Sequence, residues 1–172
     1  METIAIVLSA LALLFTMFQF IIERNRAKNE STLVAFYELQ TNIFDLEILS
    51  SKNIKLLKKR IQAEEVLYHD ENWNTLTHCM AKIEHFSVGV NSGIYSIFIL
   101  NRLAGSFVIE RYEYLKEVID YKRLKKPDVD HYDEFEKMIK RLKRLRKLKS
   151  LVSIRKHKPI EARHRRASAE SR

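Results

Sequence analysis

Glycine, proline and cysteine are scarce: 172 residues hold three, two and one of them. So few turn formers exclude a fold of many short strands and tight hairpins, and favour long helices with few connections. The lone thiol, Cys79, can close no intramolecular disulfide, as expected in a reducing compartment. It falls on an apolar helical stripe, where a packed thiol is expected rather than a nucleophile. The patterns of common chemistries are missing too: there is no glycine-rich phosphate loop, no G-x-S-x-G, no H-E-x-x-H and no C-x-x-C. Carboxylate pairs such as Glu64-Glu65 and Glu134/Glu136 lie on charged faces, where solvation accounts for them. His69, Asp70 and Glu71 read as a solvated turn, because adjacent loop residues make a poor metal cage. No enzymatic activity, cofactor or metal is therefore expected.

Charge is missing altogether from Thr3 to Ile22, twenty residues reading TIAIVLSALALLFTMFQFII. As a helix rising ~1.5 Å per residue, this stretch spans about 30 Å, the thickness of a bilayer's hydrocarbon core. A continuous helix also bonds its own backbone, as lipid requires. The stretch is read as a single transmembrane anchor. Arg24, Arg26 and Lys28 follow it at once, while only Met1 and Glu2 precede it. Cationic flanks resist translocation, so the N-terminus is expected outside and the remainder in the cytoplasm. A cleavable signal peptide fits poorly, for want of a basic start and a small-x-small cleavage site. Ala5, Ser9, Ala12 and Thr16 form one narrow stripe of small residues, a candidate interface with a second copy or another membrane protein.

Beyond the anchor the apolar spacing predicts an all-α fold, a cytosolic bundle of four or five long helices. Glu23 to Asn29 extends the anchor, and Ser31 or Thr32 is expected to start a separate helix to about Leu49. Ser50-Ser51 then caps a helix over about 53–68, and Asn72 caps one over 73–91. The 73–91 helix presents Trp73, Leu76, Met80, Ile83, Phe86 and Val90 to the core, with His78 and His85 opposite. Gly93 ends it in a left-handed turn. The longest helix runs from Ser96 to about Lys126, with Leu100, Leu103, Ala104, Phe107 and Val108 in its stripe, and Pro127 stops it. Asp128 or Asp130 opens the last. The expected organisation is an anchor with its juxtamembrane segment over 1–30, a helical domain over 31–154, and a basic, disordered tail over 155–172.

The stretch IEHFSVGVNSGIYSIFILNRLAGSFVIERYEYLKEVI, followed by HYDEFEKMIKRL, resembles an uncharacterised bacterial family of short proteins with a domain of unknown function. The resemblance covers about Thr3 to Leu145 and implies one N-terminal membrane helix with a helical cytosolic part. It implies a bacterial inner-membrane location and carries over no catalytic residue.

Two further constellations are candidate sites. Arg111 falls in the middle of an apolar stripe, and Glu84, across the Gly93 turn, is its expected partner in a buried ion pair. Acidic residues nearly vanish at the C-terminus: residues 137–172 carry 15 Lys and Arg against two acids, whereas residues 1–136 carry 16 against 20. Lys140, Arg141, Lys143, Arg144, Arg146, Lys147, Lys149, Arg155, Lys156, Lys158, Arg163, Arg165 and Arg166 form the candidate surface for an anionic partner. Lipid headgroups are favoured over nucleic acid, because no aromatic stacking residue follows Phe135 and the anchor holds the segment at a membrane. The reading is a membrane-tethered interaction protein, an adaptor or one component of a membrane complex. Its rivals are an oligomerising membrane effector in stress or phage defence, and a tethered nucleic-acid binder.

Overall fold

The computed structural model describes residues 2–46, 49–63, 71–125 and 131–148, and every element among them is helical. Helix α1 runs unbroken from Glu2 to Leu39. No new helix starts at Ser31 or Thr32. Their hydroxyls donate to the carbonyls of Ala27 and Lys28, four residues back, at 2.8 and 2.7 Å, instead of capping a fresh N-terminus. Glu23 to Lys28 is rich in good helix formers, and Arg26 pairs with Glu30 at 2.9 Å, so the turn between the two expected helices never opens.

The same helix changes character along its length. Every large apolar side chain from Ile4 to Ile22 is between 50% and 68% exposed, whereas Thr32, Phe36 and Leu39 are buried. A π-helical stretch, Gln40–Phe44, follows, with Asp45 N–H donating to Gln40 C=O at 3.0 Å. The extra residue per turn rotates the face, so both Ile43 and Phe44 enter the core.

Helix α2, Ser51–Gln62, begins as expected at a serine cap: Ser50 Oγ accepts from Asn53 N–H at 3.4 Å. It ends at Gln62 with Ala63 as its C-cap, short of the expected Tyr68, and residues 64–70 lie outside the described residues. Helix α3, Glu71–Asn91, buries Trp73, Leu76, Met80, Ile83, Phe86 and Val90, all six of the expected core face, and leaves His78 and His85 exposed. Cys79 packs inside, where burial pushes its thiol pKa up. Gly93 adopts φ +84°, the left-handed stop that ends this helix. Helix α4, Ile97–Lys125, opens on Ser96 and is broken at Ala104, where φ is −145°. Across that kink Leu103 turns outward and is half exposed, which corrects its place in the apolar stripe. Helix α5 covers 133–148.

Aromatic pairs join the elements: Phe36 with Phe86, Phe44 with Phe107, Trp73 with Tyr121, and Tyr112 with Phe135. Helix α4 therefore runs beside the inner half of α1, away from the α3–α4 turn. Helix α5 comes back along α4, with Phe135 at Tyr112 and the Arg146 guanidinium beside Gly105. One hydrophobic core results, built from the inner half of α1 and from α2 to α5.

Candidate functional site

Two regions carry the candidate residues: the uncovered half of α1, and the junction at which α3 and α4 grip the start of α5. In the first, Ala5, Ser9, Ala12 and Thr16 are all exposed along the helix. Ser9 and Thr16 donate their hydroxyls to the carbonyls of Ala5 and Ala12, both at 2.9 Å. Their donors are thus committed within the helix, and close approach of a second helix would rest on the small size of these residues.

Thr32 ties α1 to the rest of the bundle. It is fully buried, and its hydroxyl accepts from Ser96 N–H at 2.7 Å while donating to Lys28 C=O. One side chain therefore links α1 to the start of α4. The apolar pattern gave it no weight, because a threonine there reads equally well as a local cap.

Glu84 and Arg111 do not pair, and among the described residues they have different partners: the start of α5 for Glu84, Leu49 and Phe107 for Arg111. Glu84 accepts the backbone N–H groups of Glu134 and Phe135, at 2.9 and 2.8 Å, one on each carboxylate oxygen. It caps α5 from a neighbouring helix, satisfying donors that a helix start leaves open and placing a negative charge at the positive end of the helix dipole. Asp128 and Asp130, the local caps expected from sequence, lie outside the described residues. Arg111 instead donates to Leu49 C=O at 3.1 Å and lies 5.0 Å from the Phe107 ring centre. The reason is rotational: the face of α3 carrying Glu84 meets α5, while the face of α4 carrying Arg111 meets the chain entering α2.

Arg123 completes the grip from α4. It donates to His131 C=O at 3.0 Å, to Asp133 at 2.8 Å and to Glu136 at 3.0 Å. Tyr132, between these contacts, is held at φ +63°, and its hydroxyl meets the Lys122 ammonium at 2.7 Å. Burial and the Glu84 charge push the Tyr132 pKa up to about 12. Burial also raises the Glu84 pKa, against the pull of the two backbone donors. Hydrogen bonds from Lys140 and Arg123 hold the Glu136 carboxyl below its usual range.

A cleft beside this junction is lined by His78, Glu84, His85, Lys122, His131 and Tyr132. Each Glu84 oxygen holds one backbone donor, which commits the carboxylate to capping α5. Among the described residues no three His, Cys, Asp or Glu side chains gather as metal ligands do.

The basic residues of α5 divide. Arg141 is no free cation: it caps the other end of α3, donating to Val90 C=O at 3.3 Å, Asn91 C=O at 3.5 Å and Asn91 Oδ1 at 3.0 Å. That corrects its expected role toward an anionic partner. Lys140 pairs with Glu136 at 2.7 Å and Lys143 pairs with Glu113. Arg144, Arg146 and Lys147 are exposed, and Lys149 to Arg166 lie outside the described residues.

No curated protein and no solved structure matches this chain. Residues 3–142 match a family described as a domain of unknown function, DUF4760, from the start of the apolar helix to the last buried residue of α5. The chain, with its long apolar first helix and its helical remainder, belongs to the DUF4760 family.

Proposed function

We propose that this protein is a membrane-tethered interaction protein, an adaptor or a component of a bacterial inner-membrane complex, without catalytic activity of its own. The observation that carries this reading is the contrast within α1. Its stretch from Thr3 to Ile22 is uncovered by the fold, while Thr32, Phe36 and Leu39 of the same helix are buried in the core. An exposed apolar rod of this length is far larger than the patches soluble monomers tolerate. A bilayer would cover it, and the unbroken helix would then hold the bundle at a fixed distance from the surface. The partner-facing part is the stripe of Ala5, Ser9, Ala12 and Thr16 within the membrane.

The course of α5 supports lipid as the partner of the basic segment. It runs back toward the end of the bundle from which α1 emerges, since Arg141 reaches the C-terminus of α3 beside the Gly93 turn. The described part of α5 carries Arg144, Arg146 and Lys147 that way, with Arg146 beside Gly105 near the start of α4. Anionic headgroups attract such a segment at about 1 kcal/mol per Lys or Arg near the surface.

Fusion of reporters to the C-terminus tests the topology. A cytoplasmic C-terminus predicts a fluorescent green-protein fusion and an inactive alkaline phosphatase fusion. The reverse pattern refutes the orientation.

A further inference from the structure

The α3–α4 turn carries a large apolar residue at its tip. Turn tips are ordinarily polar, yet Ile94 is 63% exposed here. The turn around it is firmly held. Tyr95 N–H donates to Gly89 C=O at 2.9 Å, and the Tyr95 ring stacks on Phe86 at 5.3 Å. That ring occupies the space a side chain on residue 89 would need, so Gly89 admits it. On the other side, Ser96 N–H is fixed to the buried Thr32 hydroxyl. With its neighbours tied down, Ile94 is presented outward by the fold rather than left loose.

Its surroundings say toward what. Ile94 shares a notch with Phe20, Ile21, Arg24 and Lys28 of α1. The Lys28 ammonium lies 3.8 Å from where a Gly93 Cβ would sit. The notch thus gathers the apolar side chains of Phe20, Ile21 and Ile94 with the cations Arg24 and Lys28, where the uncovered stretch gives way to charge. An aliphatic group at the level where the span gives way to cations has the layering of a phospholipid: acyl carbons first, phosphate next.

We propose that the Ser92–Tyr95 turn is a second membrane contact, with Ile94 set into the interfacial layer of the bilayer and Arg24 and Lys28 positioned for a lipid phosphate. This rests on α1 spanning that same bilayer, and it deepens that reading. A single span leaves span and bundle free to tilt and rotate together in the bilayer. A second contact point beside the span would fix which face of the bundle meets the lipid.

The test uses the full chain in phospholipid vesicles, with Cys79 replaced by Ala and one spin label at Ile94→Cys, Ile21→Cys or Leu124→Cys. Leu124, 81% exposed at the far end of α4, serves as the aqueous reference. Relaxation by oxygen, which partitions into lipid, is compared with relaxation by a water-soluble nickel chelate. The expected oxygen-to-nickel ratio at residue 94 lies several-fold above that at 124 and below that at 21. A ratio at 94 equal to that at 124, with residue 21 reading as lipid, overturns the second contact and leaves the span intact. An aqueous reading at residue 21 overturns both.

Discussion

Glu84 occupies both carboxylate oxygens with the first free N–H groups of α5, and Arg111 serves the Leu49 carbonyl instead. Their substitutions are therefore expected to behave independently. Glu84→Ala leaves two half-buried donors without an acceptor, a loss of about 1–3 kcal/mol. Arg111→Met keeps the apolar contact with Phe107 and forfeits one hydrogen bond, at about 1 kcal/mol. Urea melts of a fragment beginning at Glu23 measure both, and the double variant should show the sum of the two losses. The pH dependence of Glu84 has a definite sign. Its carboxyl titrates above the ordinary 4.5 because it is buried, with the nearby Glu134 and Asp133 charges adding to the rise. A group with a raised folded pKa binds its proton more tightly when folded, so its contribution is complete below the unfolded value and is lost as pH rises through the folded one. Wild type relative to Glu84→Gln should accordingly lose stability as pH climbs from 4.5 toward neutrality. A flat difference would contradict the burial of that carboxyl.

At the scale of elements, the apolar spacing located α3 and its core face, and single residues marked the ends: Ser50 and Ser96 as caps, Gly93 as a stop. These signals are local, and each needs only its own few neighbours. The continuity of α1 was less legible, because Ser31 and Thr32 serve as well for bonds to the preceding turn as for caps. The capping of α5 by Glu84 was illegible. Fifty residues separate donor and acceptor, and the rotation of α3 against α5 is set by packing that no spacing encodes. The same holds for Arg141, which reads as one cation in a basic run and is a C-cap in the fold. Its withdrawal moves the expected lipid-binding charge toward the C-terminus. The fragment from Glu23 should cosediment with anionic vesicles and not with zwitterionic ones, and salt should release it. Ending that fragment at Lys149 should abolish most of the binding and leave its Tm unchanged. Undiminished binding after truncation would return the charge to Arg144, Arg146 and Lys147.

The described residues form a helical bundle and an uncovered apolar rod that share helix α1, and Thr32 ties the bundle half of that helix to α4. A rigid connection of this kind makes the position of the bundle depend on the position of the span. Anchor, turn and basic segment would then act on one surface together, each raising the effective concentration of the others. All of this depends on residues 3–22 remaining in the protein and lying in lipid. The decisive measurement is alkaline carbonate extraction of membranes from cells producing the full chain, with the intact mass taken on the pelleted protein. The expected result is a carbonate-resistant pellet whose mass includes residues 3–22, and a soluble product when those residues are deleted. Release of the full chain by carbonate, or a mature mass lacking the apolar stretch, would contradict the account.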